Sequence, residues 1–160
     1  MTSRQGEEQP TQQEAFARLA ALCARAEHST GEMRQKMRRW QMDDDAQQEV
    51  IDALVDAHFV DDARYCRMYI DDKMKFNKWG PRKIEQGLAL KGVPHHTIDE
   101  GMAQIPAQAF DDLLRPLLDA KARSVKAATP YERQRKLMAF AMGRGFTPDT
   151  IMRCIGHMEE

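Results

Sequence analysis

The chain has 160 residues, 42% of them hydrophobic and 31% charged, with a formal net charge of −1. That size fits one compact domain or several small modules sharing a core. No run of about 18 apolar residues is present, so nothing reads as a membrane span, and the opening M-T-S-R-Q-G-E-E-Q-P lacks the apolar stretch of a secretory signal. Cys23, Cys66 and Cys154 are widely spaced and form no C-x-x-C pair. They read as buried free thiols in a reducing cytosol, which places the protein in the cytoplasm.

Residues 1–12 are polar and read as a disordered tail. From Glu14 a helical period sets in, with Phe16, Leu19, Leu22 and Cys23 on one stripe. Ser29 or Thr30 suits an N-cap, with Glu32 in the first turn, for a helix to about Trp40 that carries Met33 and Met37 inward. Asp43-Asp44-Asp45 opens a third helix with Val50, Ile51, Leu54 and Val55 inward.

Asp61-Asp62 repeats the start signal for a longer helix with Tyr65, Met68, Tyr69 and Phe76 on its apolar side. Gly80-Pro81 stops it and starts the next, which presents Ile84 and Leu88 and ends at Gly92, suited to a left-handed C-cap. Pro94 begins a short helix with Ile98, Met102 and Ile105. Phe110, Leu113, Leu114, Leu117 and Leu118 then mark another helix. Pro130 restarts, Gly143 or Gly145 terminates, and Pro148 opens a last helix with Ile151, Met152 and Ile155. No β-branched alternation occurs, so the fold class is all-α.

The segment W-G-P-R-K-I-E-Q-G-L-A-L-K-G (79–92) has weaker copies on both sides. Pairing Val93 with Phe146 gives an offset of 53 residues that also pairs Ile84 with Leu137 and Ile98 with Ile151. Pairing Ile84 with Met33 gives an offset of 51 that also pairs Leu88 with Met37. Such a period predicts three tandem three-helix modules, 13–59, 60–106 and 107–160, stacked into an elongated, curved array.

Charge follows the same period. Net charge is +4 over residues 18–40, −8 over 41–72, +5 over 73–91, −4 over 92–112 and +5 over 113–136. The basic zone returns at the second helix of each module. A charged face laced with i,i+4 pairs explains one such helix and does not by itself require three in phase, so a solvated face and a ligand-tracking stripe both stand as readings. A phased basic stripe is the footprint of a protein that tracks a polyanion. The candidate binding residues are therefore Arg34, Lys36, Arg38, Arg39, Lys78, Arg82, Lys83, Lys91, Arg133, Arg135 and Lys136. Trp79 is open to two readings, stacking on a base or packing in the core.

Catalytic and metal chemistry find no support. His95 and His96 are adjacent and diverge by about 100° on a helix. Of the aspartate groups Asp43-Asp44-Asp45, Asp61-Asp62, Asp71-Asp72 and Asp111-Asp112, three sit near helix starts and read as caps. No phosphate loop, nucleophile elbow or H-E-x-x-H occurs. The expectation is a non-enzyme with no cofactor and no metal.

Asp61-Asp62 with an aromatic three residues on, then G-P-R-K-I-E-Q-G-L-A-L-K-G-V, resembles the RecX family of recombinase regulators. Arg25, His28, Ser29, Glu32, Met33, Lys36 and Met37 are similar to that family's upstream R-x-H-S…E-L…K-L element. Gly87 departs from the pattern and, as a helix-interior glycine, costs about 1 kcal/mol relative to Ala. Trp40-Gln41 replaces a Lys-Gly ending. The resemblance implies tandem three-helix repeats that bind the RecA recombinase filamented on single-stranded DNA. Lodging in the filament groove would block extension and lower strand exchange, ATP hydrolysis and co-protease activity. It would act as a monomer, without cofactor or membrane, with direct DNA contact as an option. The alternatives are a general DNA-binding helical repeat and a protein-interaction scaffold.

Overall fold

The computed structural model describes residues 9–158; residues 1–8 of the tail expected over 1–12 lie outside the described residues. Among the described residues there are nine α-helices and no strand. The first module comprises α1 (Gln12–Cys23), α2 (Thr30–Arg39) and α3 (Asp44–Asp56). The second comprises α4 (Asp62–Asp72), which runs into a π-helical turn at Lys73–Asn77, then α5 (Pro81–Leu90) and α6 (His95–Ala103). The third comprises α7 (Ala107–Ser124), α8 (Pro130–Gly143) and α9 (Pro148–Met158). The chain divides into two compact units. One runs to Tyr65 and takes in Lys91–Pro94; the other joins Cys66–Leu90 to the chain from His95 onward.

Helix starts follow from local side-chain chemistry. Thr11, Asp43 and Thr129 each accept a backbone N–H three residues on, at 3.1, 2.8 and 3.1 Å. Ser29 builds a full capping box with Glu32: its hydroxyl accepts from the Glu32 N–H at 3.1 Å, and its own N–H donates to the Glu32 carboxylate at 3.2 Å. Helix ends use the left-handed region. Gly92 at φ 74° and Gly145 at φ 94° close α5 and α8, and the first module places Gln41 there at φ 59°.

In the first unit, Ala15, Leu19, Met33, Met37, Met42, Val50, Ile51, Leu54 and Val60 form the core. The Phe16 and Phe59 rings meet edge to face at 5.9 Å beside it. Val55, expected inward, is 42% exposed, because one residue past Leu54 turns away from the stripe. Asp62 does more than begin its own helix. Its carboxylate accepts from the Thr30 backbone N–H at 2.9 Å and the Thr30 hydroxyl at 2.7 Å, and so satisfies the start of α2 from a distant part of the chain.

In the second unit, Tyr69, Ile70, Ile84, Leu88 and Ile98 are buried in one module, and Phe110, Leu114, Leu118, Leu137, Phe146, Ile151 and Ile155 in the other. Phe76, expected on the apolar side, is 69% exposed. The cause is the π-turn over Lys73–Asn77, whose wider winding takes Phe76 off the 3.6-residue stripe. Met152, next to Ile151, also faces outward at 52% exposure. Asp111, expected as a helix cap, lies inside α7 and is buried. It accepts two hydrogen bonds from Arg153, each at 3.0 Å, and this pairing holds its carboxyl below the usual carboxylate range against the opposing effect of burial.

Each unit contains one close approach between the start of a second helix and a glycine-bearing turn further along the chain. In the first unit the Ser29 hydroxyl donates to the Lys91 carbonyl, and Gly31 packs on Gly92 with no room for a β-carbon on either. In the second unit the Gly80 N–H donates to the Arg144 carbonyl at 2.8 Å, and the Arg82 N–H to the Gly145 carbonyl at 3.0 Å. A β-carbon on Gly80 would strike the backbone of Gly145 and Phe146. The offsets that align the modules, 51 for Ser29 with Gly80 and 53 for Lys91 with Arg144, make these the same joint.

Candidate functional site

The basic second helices are built so that burial of one face leaves the cations outside. In α2, Met33 and Met37 are fully buried, while Arg38 and Arg39 are exposed in the last turn, where the helix macrodipole favours positive charge. Arg34 and Lys36 are half-buried, and the Arg34 guanidinium donates to the Gln48 side chain at 2.6 Å. In α5, Ile84 and Leu88 point in, Arg82 is exposed and Lys83 is half-buried. Lys78 and Lys91 flank that helix and are exposed, Lys78 with a left-handed backbone at φ 56°.

In α8, Arg133, Arg135 and Lys136 are exposed. Arg133 donates to the Ala122 carbonyl at 3.3 Å and Lys136 to the Lys126 carbonyl at 2.6 Å. Arg135 lies over the Tyr131 ring at 5.9 Å. Of the eleven basic residues singled out from the sequence, Lys136 is the one drawn into an ion pair among the described residues, with Glu132 at 3.2 Å. The first unit holds Arg34, Lys36, Arg38, Arg39 and Lys91, and the second holds the other six.

The second unit also sets cations beside aromatic rings, Lys83 from the predicted set together with others outside it. The Lys73 and Lys83 ammoniums lie over the Trp79 indole, 5.0 and 4.9 Å from its centroid. Lys73 is also 5.3 Å from the Tyr69 ring, and Lys75 is 5.2 Å from that of Phe76. Arg144 donates to the Asn77 carbonyl at 3.2 Å and shares the Phe140 ring with Lys121, at 5.3 and 5.4 Å. In the first unit the Arg18 guanidinium lies 5.4 Å over Trp40. The available signal was a lysine or arginine within helical reach of an aromatic, which net charge ignores.

Glu85 is the one acid between residues 73 and 91. Burial, with the Asp99 carboxylate adding to it and Arg82 opposing, raises its pKa. Among the described residues no three His, Cys, Asp or Glu side chains gather as a metal site would require, and no helix is long and apolar enough to cross a membrane.

Comparison with known proteins gives three matches in succession. The first, second and third three-helix domains of RecX match residues 15–54, 61–102 and 111–155. The chain is 31% identical over 120 residues to the regulatory protein RecX of Clostridium acetobutylicum, an alignment covering 72% of this chain and 55% of that one. It is 29% identical over 144 residues to the regulatory protein RecX of Acinetobacter baylyi, covering 88% and 85%. It therefore spans about half the length of the first relative and most of the second. The crystal structure of RecX from Lactobacillus salivarius superposes with a TM-score of 0.86 over 93% of this chain and 97% of that one, and at 18% identity this likeness bears on the fold.

Proposed function

The chain belongs to the RecX family of regulatory proteins, and from that membership we propose that it regulates the RecA recombinase by binding the filament that RecA forms on single-stranded DNA. It lies along the filament groove, blocks further extension and lowers strand exchange, ATP hydrolysis and co-protease activity. It needs no cofactor and performs no chemistry of its own.

One observation carries this reading. Ten of the eleven basic residues around the second helices have no carboxylate in ion-pair range among the described residues. A face whose cations were neutralised internally would have nothing to offer a polyanionic partner. This one keeps its charge available in every module.

The test is ATP hydrolysis by RecA on single-stranded DNA, titrated with this protein. Inhibition at well below one copy per recombinase is expected, because one bound molecule stops growth for many subunits. Inhibition only at stoichiometric excess would instead indicate competition for DNA, and no effect at excess would remove the recombinase from the account.

A further inference from the structure

Residues 73–83 carry five cations, Lys73, Lys75, Lys78, Arg82 and Lys83, and no acid. None of the five is in an ion pair among the described residues. Free lysines on a surface usually sample many rotamers, and a ligand that orders them loses affinity to that entropy. Here two are held in advance. The Trp79 indole has both the Lys73 and the Lys83 ammonium within about 5 Å of its centroid.

The backbone is shaped for this. The π-turn Lys73–Asn77 closes onto the Lys73 carbonyl, which accepts from the Lys78 and Trp79 N–H groups, the latter at 3.1 Å. Lys78 takes a left-handed conformation to complete the turn. An uninterrupted α-helix would carry Trp79 away from Lys73. Both departures are locally unfavourable, and together they bring a lysine from the end of one helix and a lysine from the next onto one ring.

We propose that Lys73 and Lys83 form a phosphate clamp for the backbone of a single-stranded nucleic acid, and that Trp79 positions their ammoniums and does not stack on a base. The ring already holds two cations within about 5 Å of its centroid, and a base stacking on it would compete with them for its π-surface. Four of the five cations are lysines, point charges that tolerate a phosphate at varied angles, whereas a fixed carboxylate surface favours the planar fork of arginine. This proposal deepens the reading above by naming the part of the nucleoprotein partner that this patch touches. It is tested on bare strand, apart from RecA.

The experiment measures fluorescence anisotropy of an oligo-dT strand and of an abasic deoxyribose-phosphate strand of equal length, across a salt series. Wild-type protein should bind the two strands within about twofold of each other. Lys73→Gln with Lys83→Gln should flatten the slope of log K against log salt by about 1.4, two phosphate contacts at about 0.7 each for a single strand. Trp79→Leu should weaken both strands equally, and Trp79→Phe, a weaker cation holder that keeps the ring, should fall between. Thermal melts confirm that each variant is folded.

A dT preference of tenfold or more that Trp79→Leu abolishes would overturn the proposal in favour of base stacking. An unchanged salt slope in the double lysine variant would overturn it as well. If that variant instead loses only binding to the assembled RecA filament, the patch meets an acidic protein surface. Failure of bare strand to bind at low salt ends the proposal while leaving the hydrolysis result to stand by itself.

Discussion

The Tyr69 hydroxyl occupies the space that a β-carbon on Gly87 would need, and the ring carbon Cζ lies 2.9 Å from that position. The glycine that looks like a defect in α5 is therefore the socket for a tyrosine on α4. Burial raises the phenol pKa above its usual range, consistent with a hydroxyl held against a helix backbone. Helix propensity alone predicts that Gly87→Ala gains about 1 kcal/mol. The overpacking reverses the sign, and a net loss of about 1–2 kcal/mol is expected in urea unfolding. Tyr69→Phe in the same chain should recover part of it, and a stabilised single variant would refute the steric account.

Gln41 occupies the left-handed position that glycine fills at the equivalent Gly92 and Gly145. A side chain there costs of order 1 kcal/mol through contact of Cβ with the following carbonyl. Gln41→Gly should raise stability by about 0.5–1 kcal/mol, read as a shift in the unfolding midpoint without a change in denaturant slope.

Acid should unfold the third module through Asp111. Its folded-state pKa is depressed, first by the hydrogen bonds from Arg153. The unfolded chain therefore binds this proton more readily than the folded one does. The stabilisation is complete above the ordinary aspartate value of about 3.9 and disappears as pH falls through the depressed value. Asp111→Asn should cost about 2 kcal/mol at pH 7, since Arg153 is left without its partner but half in solvent. The gap between wild type and variant should close progressively below pH 4. A gap that stays constant down to pH 2 would exclude the ion pair as its source.

Reversing charge with Arg82→Glu and Lys83→Glu should weaken filament binding by tenfold or more and leave the melting temperature within a few degrees. Arg82 is exposed and Lys83 is half-buried with its ammonium over Trp79, so neither fills the core. Retained affinity with unchanged salt dependence would remove the α5 face from the binding surface.

Features decided within a few residues of sequence were legible. Ser29 with Glu32, Asp43 and the left-handed Gly92 all follow from hydrogen bonds or dihedrals local to one helix end. What escaped was decided elsewhere in the chain. Asp62 reads as a cap for its own helix, yet its carboxylate serves Thr30, 32 residues away. Asp111 reads as another cap, but Arg153, 42 residues on, turns it into a buried ion pair. Phe76 falls on the apolar stripe only while the winding stays α-helical, and the π-turn breaks that phase. The eleven candidate cations were visible because charge on a helix face is a one-dimensional pattern. The ring that gathers Lys73 and Lys83 was not, because it depends on how the chain turns between α4 and α5.

Each unit has a glycine contact too close for a β-carbon, Gly31 on Gly92 in one and Gly80 on Gly145 in the other. A contact made largely of main chain asks little of side-chain identity beyond smallness at a few points. Mutation can therefore rewrite the outward faces of α2, α5 and α8 without disturbing assembly. The low demand on side-chain identity agrees with a fold that superposes at a TM-score of 0.86 on a chain with which it shares 18% of residues.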